Sequence, residues 1–345
     1  MPAEMNARER WSLLLIDEFP DRPPVYPLIT SHAATVLNCD LVAYCTNGRI
    51  LAEAQLQAQR IYGHDGLSVF TDVGIIAEAM GSQYRWREFD VPILESPMVA
   101  TPEKVEELAV PDPATSGRLP VYLEAIDYLY KAAGDTLPIF AFIPSPFTNA
   151  AGLRGVEDFL LDTILNPETA HSLLEISLEA ALRLCDACIL AGALPVLVDP
   201  LASGSVISYS TFTEFAHPYL KRLIAYLHRY DLDITLHICG DTSRLLAPIA
   251  DTGADLFSFD VVGIQQVLTQ MGEQVRLVGN LSPNSLLPSS HLQIVPETER
   301  ILETGLQNAK GFVLSTGCEV PIGCDPARLQ QMIDIGKHSH YDQGW

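Results

Sequence analysis

Short apolar segments that end in a polar residue alternate with helical patterns along almost the whole chain, and this alternation restricts the fold more than any other feature. Eight segments are predicted strands: 25–30, 67–72, 138–145, 195–200, 233–240, 255–260, 275–283 and 311–318. Helical patterns, including 51–63, 156–192 and 211–231, lie between them. Apolar strands of this kind suit a parallel sheet that is covered by helices.

Eight strand–helix units predict an α/β fold, a (β/α)8 TIM barrel, with residues 1–345 forming a single domain. Such a barrel needs about 250 residues. We therefore expect residues 1–24 to form an N-terminal extension and the stretch from Tyr84 to Gly134 to carry inserted helices. A doubly wound open sheet is the alternative. Active sites of barrels lie at the carboxyl ends of the strands, so the polar residues there are the candidates for function.

The composition excludes several classes of protein. The chain has 21 Lys and Arg against 43 Asp and Glu, a net charge of −22, which repels nucleic acid and anionic membrane surfaces. The sequence contains neither a membrane-spanning apolar stretch nor a secretion signal. Seven scattered cysteines, an odd number, indicate free thiols in a reducing compartment. We therefore expect a cytoplasmic protein, and one whose thiols are available to a metal.

One histidine and two cysteines form the clearest candidate site. His237 and Cys239 are two residues apart, so on a strand their side chains point to the same side. Cys318 ends the eighth predicted strand, which faces the fifth across a closed barrel. One imidazole and two thiolates favour zinc, and Asp260 is the carboxylate best placed to fill the fourth position. Buried cysteines and a hydrogen-bonded histidine are the alternative.

Other polar residues at strand ends are further candidates for the pocket. Asp72 ends the second predicted strand, and Asp199 precedes a loop of small residues that would let a ligand approach the backbone. We predict catalytic roles for both, and for Asp260 as well. Ser203, in the same loop, and Asn280, on the seventh predicted strand, are predicted to contact a bound cofactor.

Four segments together resemble a known family: 198–208 (VDPLASGSVIS), 236–260 (LHICGDTSRLLAPIADTGADLFSFD), 275–283 (VRLVGNLSP) and 311–321 (GFVLSTGCEVP). They are similar to the zinc-dependent branch of the uroporphyrinogen decarboxylase superfamily, which contains cobalamin-dependent methyltransferases. The resemblance covers nearly the whole chain. It implies that the H-x-C and distant C of the zinc motif are His237, Cys239 and Cys318, and that Asp260 stands where some relatives have a carboxylate ligand.

The resemblance also implies a reaction. A methyl group would move between a small substrate and the cobalt of a corrinoid, the substrate being a methyl ether or other methyl donor, or a thiol acceptor such as coenzyme M. The chain has no corrinoid-binding D-x-H-x-x-G motif, so we expect the cobalamin on a separate corrinoid protein or free in solution. Asp72 aligns with the catalytic aspartate of the decarboxylase. The acidic barrel is compatible with a monomer and with a homodimer. The N-terminal third departs from the coenzyme M enzymes of the family, which favours a methyl-donor substrate.

A uroporphyrinogen decarboxylase-like enzyme is the main alternative function. The arginine-rich R-Q-A-G-R segment of the decarboxylase is replaced here by 23–34 (PPVYPLITSHAA), and its glycine–histidine pair by Gly317 and Cys318. A substrate with eight carboxylates would also meet a chain of net charge −22. A non-catalytic zinc-binding barrel is the second alternative.

Overall fold

The computed structural model describes residues 5–87 and 90–341, and within them it contains nine β-strands and fifteen α-helices. The strands are β1 (Leu67–Val69), β2 (Gln83–Arg87), β3 (Asp90–Ser96), β4 (Ile139–Pro144), β5 (Leu194–Val198), β6 (Thr235–Ile238), β7 (Leu256–Phe259), β8 (Arg276–Leu281) and β9 (Phe312–Thr316). The helices, numbered α1 to α15 in this order, are Ala7–Leu15, His32–Leu37, Leu41–Thr46, Gly48–Tyr62, Ile75–Ala79, Leu119–Ala133, Pro146–Arg154, Val156–Leu165, Pro167–Ala191, Tyr209–Thr211, His217–Leu227, Leu246–Ala250, Ile264–Met271, Ile294–Gly305 and Pro326–Lys337.

Seven of the strands form one curled parallel sheet in the order β1-β4-β5-β6-β7-β8-β9. Each strand of this sheet pairs with the next sheet strand along the chain, and helical segments connect successive strands, as in a TIM barrel. His237 on β6 is in register with Val198 on β5 and with Ser258 on β7. The predicted α/β barrel is therefore confirmed, and seven of the eight predicted strands are present with boundaries shifted by a few residues.

The first predicted strand, 25–30, is wrong in extent, because only Val25 of it pairs as a strand residue does. Val25 makes an isolated parallel bridge to Leu314 of β9, and its carbonyl accepts a hydrogen bond from the backbone N–H of Asp65, just before β1. Pro24 and Pro27 flank this bridge and have no N–H to donate, so a regular strand cannot continue through them. The barrel closes through this short extended segment.

The N-terminal extension lies across the amino ends of the strands. Trp11 of α1 packs against Tyr26 and Phe140, and its indole N–H donates a 2.7 Å hydrogen bond to the carbonyl of Asp65. At the other end of α1, the Arg276 guanidinium at the start of β8 donates to the carbonyl of Leu14 at 2.8 Å. The extension therefore covers the end of the barrel opposite the predicted active site.

The inserted stretch contains a β-hairpin that the helical expectation missed. β2 and β3 pair antiparallel, and α6 follows them in the chain. Tyr84 and Trp86 are half-buried while their β2 neighbours are exposed, the alternation of a strand with one covered face. Gln83, Arg85 and Arg87 occupy the exposed positions, so the alternation was already a strand signal in the sequence. Glu88 and Phe89, which also belong to the inserted stretch, lie outside the described residues.

Two further observations concern the whole of the described chain. Between residues 5 and 341, leaving out 88 and 89, none of the helices is both long enough and apolar enough to cross a membrane. All seven cysteines are free thiols, as expected from their odd number.

A buried ion-pair network holds the junction at which the barrel closes. The Asp65 carboxylate accepts hydrogen bonds from the guanidinium of Arg10 at 3.0 Å, from that of Arg22 at 2.6 and 3.1 Å, and from the backbone N–H of Val25 at 2.8 Å. Asp65 is 3% exposed. Because buried charges need such partners, removal of this one carboxylate takes the carboxylate partner from the buried Arg22 guanidinium, whereas Arg10 keeps its pair with Asp21.

We expect Asp65→Ala to lower the free energy of unfolding by about 3–5 kcal/mol, the cost of breaking a buried ion pair on one side. Urea denaturation followed by circular dichroism measures this change. The control is Asp127→Ala, which removes an exposed pair with Lys131 and should change stability by less than about 1 kcal/mol. A similar small effect of both substitutions would contradict the structural role of Asp65.

Candidate metal centre

The structure brings His237, Cys239 and Cys318 together at the carboxyl ends of β6 and β9. One ligand atom from each residue lies within 4.8 Å of the corresponding atoms of the other two. His237 is 5% exposed and the two cysteines are partly buried. These residues were predicted to converge, and they form a group of soft ligands that is open on one side to the barrel mouth.

The orientation of the imidazole is set by a neighbouring strand. His237 Nδ1 lies 2.9 Å from the hydroxyl of Ser258 on β7, with which it is in register. This contact occupies Nδ1 and leaves Nε2 as the ring nitrogen available to a metal. Metal-binding histidines commonly have such a partner on their second nitrogen, since it fixes the ring and the tautomer.

The two thiols share a hydrogen bond and differ in acidity. The hydrogen bond from Cys318 lowers the pKa of Cys239 below that of an ordinary thiol, despite the opposing effect of burial. The same hydrogen bond, together with burial, raises the pKa of Cys318. Cys239 is therefore the thiol that ionises first, and a thiolate is the form that binds metals.

Two glycines allow the loops of the centre to approach one another. Gly240, directly after Cys239, has a φ of +74°, and a Cβ atom there would lie 2.7 Å from the hydroxyl of Ser203. A Cβ atom at Gly317, directly before Cys318, would lie 2.8 Å from Oδ1 of Asp260. A larger side chain at either glycine would push apart the loops that follow β5, β6, β7 and β9 at the carboxyl end of the barrel.

Asp260 follows β7 beside the centre but is not one of the three grouped ligands. Its Oδ2 accepts a 3.0 Å hydrogen bond from the backbone N–H of Gly240. Asn280 donates from its side-chain amide to the carbonyls of Asp260 and Val262, both at 2.9 Å, while its Oδ1 is buried without a partner among the described residues. The role of Asp260 as a fourth ligand and that of Asn280 as a cofactor contact stay predictions.

Asp199 is fully buried, and its carboxylate lies at the start of α7. Its Oδ1 accepts hydrogen bonds from the backbone N–H and the hydroxyl of Thr148, at 2.9 and 2.6 Å. It thereby caps a helix whose own N-cap residue, Ser145, makes no side-chain cap. Burial raises the pKa of Asp199 to about 7. Ser203 is also buried, and its hydroxyl accepts from the backbone N–H of Ser205 at 3.2 Å.

Asp72 is held by an arginine from the inserted stretch. Its Oδ2 pairs with the Arg118 guanidinium at 2.7 Å, and its Oδ1 accepts from the backbone N–H of Gly74 at 2.9 Å. Arg118 also pairs with Glu78 and lies 5.0 Å from the centre of the Trp86 ring. Both carboxylates predicted from strand ends, Asp72 and Asp199, are therefore engaged by other protein groups.

A cavity of about 140 Å³ lies beside the three grouped ligands. Its wall contains His237, Cys239 and Cys318, one carboxylic acid, Glu319, and six apolar residues: Leu28, Phe70, Val73, Phe142, Val198 and Pro200. Neither Asp72 nor Asp199 is among these lining residues.

Glu319 is a residue of the candidate site that the sequence reasoning missed. The Thr30 hydroxyl donates a hydrogen bond to the Glu319 carboxylate, and burial raises the pKa of Glu319. The available signal was its position directly after Cys318. The sequence reasoning also missed Arg118. Candidates were chosen from polar residues at the ends of predicted strands, and Arg118 lies in the inserted stretch, away from any predicted strand.

Comparison with known proteins assigns the family. A family model described as uroporphyrinogen decarboxylase (URO-D) matches residues 7–338. The chain belongs to the uroporphyrinogen decarboxylase family. This membership confirms the resemblance found in the sequence segments around the strand ends.

Relatives within this family include two kinds of enzyme. A methylated-thiol–coenzyme M methyltransferase from Methanosarcina mazei is 30% identical over 321 residues, which cover 92% of this chain and 85% of the relative. The methylcobamide:CoM methyltransferase MtaA from Methanosarcina barkeri is 29% identical over 282 residues, 80% of each chain. A uroporphyrinogen decarboxylase from Vibrio vulnificus is 28% identical over 298 residues, 83% of this chain and 82% of the relative.

Solved structures agree with the family assignment. A methyltransferase from Methanosarcina mazei superposes with a TM-score of 0.88 at 26% identity, covering 97% of this chain and 99% of that one. A B12-independent methionine synthase from Shewanella sp. W3-18-1 has a TM-score of 0.59 at 12% identity, which is a likeness of fold alone.

The buried carboxyl group of Asp199 predicts a pH dependence of stability. Its folded pKa of about 7 exceeds its ordinary value of 3.8, so the folded protein holds a proton that the unfolded chain has lost between these values. The contribution of Asp199 to the free energy of unfolding therefore falls as pH rises from about 4 to 7. Asn does not titrate, so the stability of Asp199→Asn relative to wild type should increase with pH. We expect its free energy of unfolding to rise relative to that of wild type by up to about 4 kcal/mol over this range.

Urea unfolding at several pH values tests this expectation. Asp251→Asn is the control, because hydrogen bonds from Lys221 and His217 lower the pKa of that exposed carboxylate, so it is ionised in both states over this range and its difference from wild type should change little from pH 4 to 7. A pH-independent difference for Asp199→Asn would show that Asp199 is ionised throughout this range.

Proposed function

We propose that this chain transfers a methyl group between a small substrate and the cobalt of a corrinoid carried by a partner protein, with zinc bound by His237, Cys239 and Cys318. The observation that carries the proposal is the convergence of these three ligands at the mouth of the barrel. Two further findings support it: the 0.88 TM-score to a methyltransferase and the two methyltransferase relatives, whose names include a methylated thiol and a methylcobamide.

The donor set fits zinc. One imidazole and two thiols are ligands that zinc prefers, and three protein ligands leave one position for a substrate or a carboxylate. Zinc bound there would lower the pKa of a substrate thiol or hydroxyl group. Asp260 is the carboxylate we propose for the fourth position before the substrate binds, since it lies against Gly317, directly before Cys318.

The residues of the chain contribute by holding and shielding the reacting groups. Ser258 holds the imidazole ring of His237, and the apolar wall of the cavity excludes water from the substrate. We assign supporting roles to Asp72 and Asp199, which fix the loops after β1 and β5, and place Ser203 and Asn280 beside the centre. A methyl transfer between two bound partners depends largely on such positioning, which can contribute a large part of the rate.

Exposed apolar side chains around the mouth support a protein partner. Val73, Val206 and Val261 are 39%, 41% and 67% exposed on the loops after β1, β5 and β7, and Tyr209, at the start of α10, is 55% exposed. Apolar groups that rim a functional opening are typical of interaction surfaces. We propose that the corrinoid protein docks over this rim, so that its cofactor faces the cavity.

Decarboxylation of a porphyrinogen is the competing function within the family, and the cavity disfavours it. The described residues that line the cavity include no arginine or lysine, and Arg118, near the mouth, is already paired with Asp72 and Glu78. A substrate that carries many carboxylates needs such cations.

Metal analysis is the first test of the proposal. We expect near-stoichiometric zinc in the wild-type protein by plasma emission spectrometry, and loss of most of it in Cys239→Ala and Cys318→Ala. Cys39→Ala, which removes a partly buried thiol outside the group, should retain the zinc. Methyl transfer from methylcobalamin to thiols, and from methyl ethers and thioethers to cob(I)alamin, is then measured on the same samples. Metal-free wild-type protein, prepared without chelators, would contradict the proposal.

The contact between Ser258 and His237 predicts a second, graded effect on the metal. Ser258→Ala should weaken zinc binding by about 10- to 100-fold, the usual effect of removing the partner of a metal-binding histidine. Competition with a chromophoric chelator measures the affinity. Ser68→Ala, which removes a buried hydroxyl that is bonded to Tyr26 instead, should leave it unchanged. Equal affinities for all three proteins would show that Ser258 does not orient the ligand.

A further inference from the structure

The wall of the cavity beside the three grouped ligands carries one acidic side chain and, among the described residues, no arginine or lysine. Apart from the three grouped ligands, Glu319 is the one ionisable side chain among the described residues that line the cavity. The remaining wall is aliphatic or aromatic, with Phe70 and Phe142 as its largest groups. Apart from the group that would hold the metal, the described lining residues therefore present no cationic side chain to a substrate anion.

Neighbouring cations do not supply the missing charge. The Arg118 guanidinium pairs with Asp72 and Glu78. The Glu319 carboxylate has a fixed position, because the hydroxyl of Thr30, which is fully buried, donates a hydrogen bond to it. An ionised Glu319 repels an anion, and a protonated one offers it no charge, so in neither form does the wall attract a sulfonate or carboxylate. The net charge of −22 acts in the same direction.

The size of the cavity limits the substrate as well. Its volume is about 140 Å³. An apolar protein cavity of about 150 Å³ binds benzene, so the space beside the grouped ligands suits a group of that size. Small apolar ligands gain affinity from such walls through the area that they remove from water.

From this wall we infer that the methyl substrate is an uncharged, largely apolar methyl ether or thioether, with a group no larger than about one benzene ring, and that Glu319 is a specificity-determining residue that disfavours anions. The inference rests on the proposed function and narrows it. The methyl group lies on a heteroatom directed towards His237, Cys239 and Cys318, and the rest of the molecule contacts Phe70 and Phe142. Coenzyme M, a thiol with a sulfonate, is then a poor substrate for this chain.

Isothermal titration calorimetry with two matched pairs of probes tests the inference on the full-length protein as purified. One pair is 2-(methylthio)ethanol and 2-(methylthio)ethanesulfonate, and the other is methoxybenzene and 4-methoxybenzenesulfonate. The uncharged member of at least one pair should bind at least about tenfold more tightly than its sulfonate. The pair with the tighter uncharged member distinguishes a thioether from an aryl ether. Equal or tighter binding of the sulfonates, or no binding of either uncharged probe, would overturn the inference.

Two variants separate the role of Glu319 from a general effect of charge. Glu319→Gln keeps an oxygen that can accept from Thr30 but removes the charge, and we expect it to reduce the preference for uncharged probes at least about threefold. Glu106→Gln removes an exposed carboxylate that does not line the cavity, and it should leave the preference as in wild type. Equal preferences in the two variants would refute the role of Glu319.

The zinc content of the same samples keeps the two proposals distinguishable. Absence of zinc from wild type, with the preference for uncharged probes retained, counts against the proposed function and leaves the selectivity of the cavity standing. Zinc present with a preference for sulfonates counts against the inference alone.

Discussion

Closure of the curled sheet is the constraint on which the rest of the molecule depends. A single residue, Val25, connects β9 to the chain just before β1, and the Asp65 carboxylate holds that junction between Arg10 and Arg22. Because the sheet is closed, the carboxyl ends of β6 and β9 face one opening although two strands separate them in the sheet. The convergence of a histidine and two cysteines follows from this closure.

The distribution of buried charge divides the barrel into two ends with different roles. At the amino ends, Arg10 and Arg22 stabilise the closure through Asp65. At the carboxyl ends, the guanidinium of Arg118 is taken up by Asp72 and Glu78. The chain has only 21 basic residues, and these arginines are already paired with carboxylates. Among the described residues, the wall of the mouth cavity is therefore acidic and apolar. The selectivity that we infer for the cavity therefore follows from how the fold pairs its arginines.

The candidate site was predictable where the periodicity of the strand alone decides to which side a side chain points. His237 and Cys239 share one side because strand side chains alternate, and Cys318 joins them because the last strand of a barrel ends at the same face. The same reasoning could not decide what Asp199 contacts. Its position at a strand end is as predicted, but its carboxylate caps α7, since the backbone N–H of Thr148 lies in the first turn of that helix and has no acceptor within it. Position along a strand does not specify the partner.

By itself, the sequence determined the α/β barrel, seven of its strands, and the residue types of the candidate metal centre, because these depend on local periodicity and on the chemistry of imidazole and thiol groups. Pro24 and Pro27, which reduce the predicted first strand to one bridge, were a local signal as well. The tertiary structure alone decided two other features: β2 and β3 bring Trp86 over Arg118, and the cavity wall receives Glu319 and, among the described residues, no arginine or lysine. Both depend on contacts between residues far apart in the chain, which no local pattern records.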